Sequence, residues 1–285
     1  MFCTYCIIPY ARGRIRSRRP ENVVSEVRKI SKEGIKEVVI TGIHVASYGK
    51  DFKESEIGLI DLLEGINKVE GIEWIRLSSL EPTLITEEFV KRLSKLEKIC
   101  DHFHLSLQSG SDTVLKRMNR KYTTKQYENA VELLRSYYPE AAFTTDIIVG
   151  FPGETEKEFE ETYQFAKKIN FYKIHVFKYS KRRGTPAESM PNQVDGNIKE
   201  ERSNRLIELS NENENKHNEN YVGKEVNVLF EELDNNYYKG HTSNYMVVKV
   251  DSAFVEDKNI IDNIKKVKLI SNDNQCRELI GKIVK

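Results

Sequence analysis

Cysteine is scarce in this sequence, with four residues among 285. Cys100 and Cys276 lie far from each other and from Cys3 and Cys6, which argues against a disulfide framework and for a reducing compartment. No apolar run approaches the roughly 18 residues that a membrane-spanning helix needs, and no signal peptide precedes the first motif. These absences predict a cytoplasmic protein that does not contact membranes.

A strong charge of either sign is also absent. The net charge is +1, so the whole-chain balance neither supports nor excludes a nucleic-acid partner. Apolar residues make up 39% and charged residues 31% of the chain, which excludes a disordered or a membrane protein. A length of 285 residues suffices for one large domain and a small one.

Positive charge is nevertheless concentrated near the N-terminus, where eight consecutive residues contain five arginines and no acid: Arg12, Arg14, Arg16, Arg18 and Arg19. Guanidinium groups match phosphate oxygens, so this segment can neutralise RNA phosphates. A solvated loop, or a loop paired with nearby carboxylates, is the alternative. Because the segment directly follows two thiols, we favour a role in binding substrate or cofactor.

The two thiols belong to the sequence Cys3-Thr4-Tyr5-Cys6. Taken alone, this spacing is typical of a zinc half-site, a thioredoxin-type pair or part of an iron–sulfur ligand set. The aromatic residue before the second thiol and the basic loop after it indicate a metal or redox site, without deciding among the three.

A resemblance in the flanking residues distinguishes among these three kinds of site. The segment Phe-Cys-Thr-Tyr-Cys-Ile-Ile-Pro-Tyr-Ala-Arg-Gly, residues 2–13, closely resembles the cluster loop of radical S-adenosylmethionine (SAM) enzymes, specifically the tRNA methylthiotransferases. The resemblance implies that Cys3 and Cys6 are the second and third ligands of a [4Fe–4S] cluster that binds SAM. The first ligand would fall before Met1, so we expect a chain that is truncated at its N-terminus.

The first two thirds of the sequence alternate β-rich runs with helical patterns, which predicts βαβ units and a parallel sheet. The predicted strands are 37–44, 74–79, 102–108, 143–149 and 172–179, and the predicted helices are 21–33, 59–69, 86–95, 123–137 and 156–169. Thr86 and Thr155 are candidate N-caps. Together with the resemblance, this alternation of strands and helices predicts an α/β fold over residues 1–196. The fold would be a partial (β/α)6 radical SAM barrel that lacks its first strand.

The rest of the chain predicts a second unit. A polar helix over 197–220 should fray into a linker, because its run of asparagine and glutamate is nearly devoid of apolar residues. From residue 221 five short alternating strands predict a small all-β barrel of the oligonucleotide-binding type. This region, 221–285, resembles the TRAM RNA-binding domain. Its ten basic residues balance ten acidic ones, so aromatic stacking by Tyr237, Tyr238 and Tyr245 would have to contribute.

Polar or glycine residues end the predicted barrel strands, where ligands bind in such folds. Ser106 and Gln108 alternate with leucines, and buried polar groups are costly unless they meet a ligand. Asp146 and Gly150 border a Gly-Phe-Pro-Gly turn in which glycine permits close approach to the backbone. A tight, well-capped turn is the plainer interpretation. The resemblance implies SAM contacts from nine residues: Thr41, Gly42, Ser78, Glu81, Ser106, Gln108, Asp146, Gly150 and Tyr179.

The resemblance also implies an activity, a substrate and partners. Its best match is the branch that methylthiolates C2 of N6-threonylcarbamoyladenosine at position 37 of tRNA, with an electron donor such as flavodoxin or ferredoxin. RNA contacts would come from Arg12, Arg14, Arg16, Arg18 and Tyr245. The alternatives are the sister branch, which acts on isopentenylated adenosine, another radical SAM chemistry, and an inactive SAM- or RNA-binding fragment. The sequence assigns no catalytic side chain.

Overall fold

A computed structural model describes residues 3–53 and 57–284 of the chain, so Phe2 of the cysteine motif lies outside the described residues. Five short strands form the sheet of the first unit. They are β1 (Glu37–Ile40), β2 (Trp74–Leu77), β3 (His102–His104), β4 (Ala142–Val149) and β5 (Lys173–Lys178).

The strands are parallel and follow one another in chain order. β1 pairs with β2, and β4 pairs with both β3 and β5. Single parallel bridges, Ile75 to Ile99 and Leu80 to Leu105, connect β2 to the β3 side. The result is an open, curved sheet, the partial barrel predicted from the sequence. Within the described residues β1 and β5 each have one strand neighbour.

Helices cover the outer face of this sheet. Those that the sequence predicted are α2 (Pro20–Lys32), α3 (Leu59–Asn67), α4 (Glu87–Leu93), α6 (Thr124–Tyr137) and α7 (Glu156–Ile169). Both predicted caps are confirmed, because the hydroxyls of Thr86 and Thr155 accept hydrogen bonds from backbone N–H groups three residues later. Two short helices, α1 (Ile8–Arg12) and α5 (Asp112–Arg117), were not predicted.

Four of the five strands end earlier than the sequence predicted. The residues after Ile40, Leu77 and His104 leave the regular ladder, and Gln108 has a left-handed φ of 68°. Their polar side chains turn toward one another and toward loops instead of extending the sheet. The polar strand ends are therefore loops that build a site.

The predicted fraying of the polar helix is wrong. α8 runs without a break over Gly196–Glu219, and its last turns are buried. Asn213 donates to the Phe171 carbonyl at 3.0 Å, and Glu214, with a side chain 5% exposed, accepts from Lys173 and Arg277. The polar side chains thus bind backbone and charged groups of both units, which holds this part of the helix in place.

The second unit is a closed five-stranded barrel, as predicted. Its strands are β6 (Glu225–Asp234), β7 (Tyr237–Thr242), β8 (Val247–Asp251), β9 (Ile264–Asp273) and β10 (Glu278–Ile283), in the order β10-β8-β7-β6-β9. Its buried core includes Val228, Phe230 and Val267. None of the helices in the described ranges is long and apolar enough to cross a membrane.

A buried ion network joins the two units. Arg76 on β2, with a side chain 4% exposed, donates to both carboxylate oxygens of Glu37 at 2.6 and 3.3 Å and to the Ser243 carbonyl at 2.8 Å. His241 on β7 lies 2.8 Å from Glu37, and the Arg76 guanidinium stacks 4.5 Å from the centre of the Tyr245 ring. The turn between β7 and β8 is therefore docked at the amino ends of β1 and β2.

The network shifts the ionisation of its members. Burial alone would raise the pKa of Glu37, but the hydrogen bonds from His241 and Arg76 lower it below its usual range. Burial, together with the positive charge of Arg76, lowers the pKa of His102 to about 3. Burial alone would lower the pKa of His241, but its hydrogen bonds to Glu37 and Glu231 raise it above its usual range. Glu37 is therefore an anion and His102 is neutral at neutral pH, and Arg76 is the cation of the junction whose charge does not depend on pH.

Arg76→Met should lower the free energy of unfolding by about 3 kcal/mol, because it leaves the Glu37 carboxylate buried without its cation. Urea denaturation measures this. The matched control is Arg92→Met, which removes a partly exposed arginine paired with Asp61 and Glu64. That change should cost about 1 kcal/mol or less. Equal losses in the two variants would contradict a special role for the junction.

Candidate active site

A cavity of about 1530 Å³ opens between the N-terminal loop and the carboxyl end of β1. We call it the N-terminal cavity. Among the residues that the sequence singled out, it is lined by the two thiols, by the end of β1, by Glu81 and by four arginines: Cys3, Cys6, Thr41, Gly42, Glu81, Arg12, Arg14, Arg16 and Arg18. The structure therefore brings nine of the predicted residues to one cavity.

The cysteine loop is a tight turn at the wall of this cavity. The Cys6 N–H donates to the Cys3 carbonyl at 3.2 Å, so the short spacing folds back on itself. Thr4 fastens the loop, because its N–H donates to the Met118 carbonyl and its hydroxyl to the Arg117 carbonyl. Both thiols are partly exposed. They are accessible to a metal without any rearrangement of the backbone.

Arg120, from the turn between α5 and α6, organises the thiol environment. Its Nη1 donates to Cys3 Sγ at 3.3 Å, its Nε donates to the Tyr122 hydroxyl at 2.9 Å, and its Nη2 lies 3.1 Å from Glu81. This side chain, with 9% exposed, joins the cysteine loop to the end of β2.

Glu81 continues the network to the end of β1. Its second carboxylate oxygen lies 2.9 Å from His44 Nε2, and His44 Nδ1 hydrogen-bonds the Ser47 hydroxyl. Burial raises the pKa of Glu81, but the His44 hydrogen bond and the charge of Arg120 outweigh it, so the pKa lies below its usual range. Glu81 is therefore charged at neutral pH and balances Arg120.

Tyrosines connect the third strand end to the same site. The Tyr5 hydroxyl donates to Gln108 Oε1 at 3.1 Å, and the Tyr122 hydroxyl donates to the carbonyls of Ser106 and Leu107. The predicted residues Ser106 and Gln108 thus lie next to the cysteine loop. The loop, β2 and β3 are held together by one hydrogen-bonded network.

Two predicted residues contain buried hydroxyls that have no hydrogen-bond partner in the described part of the chain. They are Ser78, directly after β2, and Tyr179, directly after β5. A buried polar atom without a partner is rare and is satisfied by a polar ligand or by water. Neither residue lines the N-terminal cavity, so the contact of each with SAM stays a prediction.

Asp146 lies deeper in the sheet. Its carboxylate is 3.3 Å from His104 Nε2, and the other ring nitrogen of His104 hydrogen-bonds the Thr144 hydroxyl at 3.0 Å. His175 packs beside His104, with ring centres 5.8 Å apart. These polar groups belong to strands β3, β4 and β5 and do not line the N-terminal cavity.

Gly150 is not in open space. Its φ is +70°, and a Cβ there would lie 2.3 Å from Cγ of Lys199 on α8. Its N–H donates to the buried carboxylate of Glu154 at 2.6 Å. The glycine is therefore required by its left-handed backbone and by close packing against a lysine side chain. The expectation that it leaves room for adenine has no support in this geometry.

The arginine segment is exposed. Arg18 pairs with Glu26, whereas Arg12, Arg14 and Arg16 have no acidic partner within the described residues. Tyr10, on the same short stretch, is 71% exposed. Unpaired arginines beside an exposed aromatic ring are typical of a surface that binds single-stranded nucleic acid.

Tyr245 lies at the junction of the two units and does not line the N-terminal cavity. Its ring contacts Arg76, His102 and His241. That packing gives Tyr245 a structural role at the junction, and a place in RNA stacking stays a prediction.

Sequence reasoning missed four residues of this site: His44, Arg120, Tyr122 and Tyr10. The signal for Arg120 and Tyr122 was an Arg-Lys-Tyr sequence in a short connection between two helices, at a point where the chain passes the strand ends. Nothing in the sequence indicates which strand ends such a connection reaches, because the helices that position it have no cysteine or glycine motif.

The donor set fits an iron–sulfur cluster only in part. Cys3 and Cys6 supply two thiolates, whereas Cys100 is buried near the junction and Cys276 lies in the β9–β10 turn. The described residues contain no group of three metal-ligating side chains. A cluster with one open iron needs a third thiolate that these residues do not supply, so we derive no step through the cluster.

Comparisons with known proteins agree with this geometry. The family model of the radical SAM superfamily matches residues 1–166. This match covers more than half of the chain and shows that the chain belongs to the radical SAM superfamily. The recognition of a radical SAM protein and the predicted fold class are confirmed.

Two relatives illustrate the similarity. The chain is 44% identical, over 94% of its length, to the threonylcarbamoyladenosine tRNA methylthiotransferase MtaB of Bacillus subtilis. It is also 44% identical to the tRNA-2-methylthio-N(6)-dimethylallyladenosine synthase of Thermoanaerobacter sp., again over 94% of its length. It spans 60% of the first relative and 56% of the second.

Solved structures support the fold alone. The radical SAM methyltransferase TsrM from Kitasatospora setae aligns with a TM-score of 0.55 at 19% identity, covering 66% of this chain and 36% of that one. Coproporphyrinogen III oxidase (HemN) from Escherichia coli aligns with a TM-score of 0.55 at 14% identity, covering 75% and 50%.

Gly150→Ala should lower the free energy of unfolding by about 2 to 3 kcal/mol even without ligand, because a left-handed alanine costs about 1 kcal/mol and Lys199 must also move. The matched control is Gly184→Ala, where φ is +84° and nothing lies within 4 Å of an added Cβ. That variant should lose only the backbone cost, about 1 kcal/mol. Thermal unfolding of both variants measures the difference. A Gly150→Ala variant as stable as Gly184→Ala would return Gly150 to the list of ligand contacts.

Proposed function

We propose that this chain is the SAM-binding and RNA-binding part of a tRNA methylthiotransferase that modifies C2 of N6-threonylcarbamoyladenosine at position 37. The observation that carries the proposal is the N-terminal cavity, where the cysteine pair and the unpaired arginines meet. Its similarity to tRNA methylthiotransferases over 94% of its length supports the same conclusion.

In this proposal Cys3 and Cys6 are two ligands of a [4Fe–4S] cluster. Once a third thiolate completed it, such a cluster would supply an electron for the cleavage of SAM. The chain's own contribution is electrostatic and geometric: Arg120 donates to Cys3 and holds the thiol against the end of β2. The Tyr5–Gln108 hydrogen bond fixes the other side of the loop.

SAM would occupy the strand ends beside the cysteine loop. Ser78 and Tyr179 offer buried hydroxyls without partners, and Thr41 and Gly42 offer an exposed strand end at the cavity wall. Glu81 carries the negative charge that a cationic sulfonium ligand or its ammonium group would meet. Asp146 and Ser106 would act from the inner face of the sheet.

The tRNA would enter at the mouth of the same cavity. Arg12, Arg14 and Arg16 have no acidic partner among residues 3–53 and 57–284, so phosphate groups are suitable partners for them. Tyr10 presents an exposed ring on which an unpaired base can stack. A reduced flavodoxin or ferredoxin would supply electrons, and the cytoplasm is the compartment in which tRNA, SAM and such donors meet.

The sister reaction on dimethylallyl-adenosine is the second candidate. It is favoured by one observation: the relative from Thermoanaerobacter, which bears that name, is as similar to the chain, at 44% identity, as the Bacillus relative. An inactive SAM- or RNA-binding fragment is the third. The experiments below separate these possibilities.

Cys3→Ser and Cys6→Ser should each reduce the iron retained after anaerobic reconstitution and desalting by more than half, because two thiolates already hold a cluster weakly. The matched control is Cys276→Ser, an exposed thiol in the second barrel. Iron and sulfide counting with absorption spectra provides the measurement. Iron retention unchanged in all three variants would remove the pair as ligands.

The chain alone should give no methylthiolated nucleoside, whereas the chain joined to the part of Bacillus subtilis MtaB that it does not match should do so. Mass spectrometry of digested tRNA bearing threonylcarbamoyl-adenosine detects the product. The control is the joined protein carrying Cys3→Ser and Cys6→Ser. Product from the chain alone would contradict the need for the remaining part, and product only on dimethylallyl-adenosine would move the assignment to the sister branch.

A further inference from the structure

Among the described residues of the second barrel, the large hydrophobic side chain with the greatest exposure is an aromatic ring. Phe254, at the end of the short 3-10 turn Ser252–Phe254 that follows β8, is 67% exposed. Of the tyrosines expected to stack on RNA, Tyr238 is 4% exposed, Tyr237 is partly buried, and Tyr245 is 49% exposed but has its ring against Arg76 at the junction. Exposing a phenylalanine to water is unfavourable, so a ring left exposed marks a contact surface when other features support it.

Two lysines beside Phe254 supply such support. Lys282 on β10 lies over the ring, with Nζ 5.2 Å from its centre, and Lys268 on β9 is directly opposite Lys282 in the antiparallel pair. Neither lysine has an acidic partner among the described residues. Glu225 is opposite Lys268 in the strand register, but its carboxylate lies 3.9 Å from Nζ of Lys266.

The other lysines of this barrel provide a contrast. Lys239 is paired with Asp234 and Glu278, and Lys249 with Asp273 and Glu278. The barrel's balanced composition therefore conceals an uneven surface. Positive charge that is not neutralised locally lies next to the exposed ring.

This surface lies away from the junction of the two units. The β7–β8 turn docks on Arg76, and Phe254 follows the opposite end of β8. A five-residue strand spans about 17 Å, so the ring is roughly that far from the docked turn. The surface is therefore available while the units stay joined.

We propose that Phe254, Lys268 and Lys282 form a second RNA-contact surface, on which an unpaired base stacks on the ring and the adjoining phosphates meet the two lysines. The proposal rests on the proposed function, which makes RNA the substrate. An aromatic ring beside cations is complementary to a base beside phosphates, and any base can stack on such a ring. Together with the arginine segment at the N-terminal cavity, this surface gives the chain two separate contacts on one long polyanion.

The test uses the full 285-residue chain and two probes, a 12-nucleotide single-stranded RNA and an unmodified tRNA transcript. Fluorescence anisotropy over a range of salt concentrations gives the affinity and its salt dependence. Phe254→Ala should weaken binding of the short RNA about tenfold, and Phe254→Tyr should restore it. The Lys268→Ala, Lys282→Ala double variant should reduce the slope of log K against log salt by about 0.7 for each lysine.

The control is Lys95→Ala, which changes an exposed lysine of the first unit. It should leave the affinity for RNA and the salt dependence of binding unchanged. Normal affinity in Phe254→Ala, with RNA still bound through the arginine segment, would overturn this surface while leaving the proposed function intact. If only the double-lysine variant loses affinity for RNA, the surface binds any polyanion, including an acidic protein. That result would overturn the stacking of a base on Phe254. No RNA binding by the unaltered chain would contradict both proposals.

Discussion

The requirement that a buried guanidinium be paired shapes both ends of the parallel sheet. At the amino end, Arg76 cannot lie beneath the strands without Glu37, and the pair is completed by backbone carbonyls that only the second barrel supplies. A charge without those partners would cost several kcal/mol. The relative position of the two units is therefore determined by a polar junction.

The carboxyl end of the sheet uses the same device for a different purpose. Arg120 pairs with Glu81 and donates to Cys3, so the cation that satisfies a buried acid also sets the environment of a thiol. Under the proposed function, in which Cys3 is a cluster ligand, this hydrogen bond would orient the ligand. Placing this network in a helix–helix turn, rather than on the cysteine loop, lets the loop stay short and accessible. Structural and chemical roles coincide in one side chain.

The sequence was sufficient for the features that depend on local pattern. Period and capping located α7 and the cap at Thr155, and alternation located all five strands of the second barrel. Prediction from the sequence failed where a side chain's interaction partner is distant in the sequence. The asparagine-rich end of α8 reads as unstable because the groups that bind Asn213 and Glu214 lie on β5 and β10 or next to them. Arg120 was missed for the same reason, since its partners lie 39 and 117 residues away.

The distribution of unpaired charge indicates how the substrate approaches. Among the described residues of the second barrel, most basic side chains pair with acids, whereas Lys268 and Lys282 do not and lie at the exposed ring of Phe254. In the first unit, Arg12, Arg14 and Arg16 have no acidic partner among the described residues and lie near the exposed ring of Tyr10. Under the proposed function, two such surfaces, on units joined at Arg76, match a polymer whose backbone extends beyond the modified base. Rigid spacing between contacts favours substrates of matching shape, because it avoids the entropy cost of ordering a linker on binding. The structural role of the junction thereby becomes part of substrate selection.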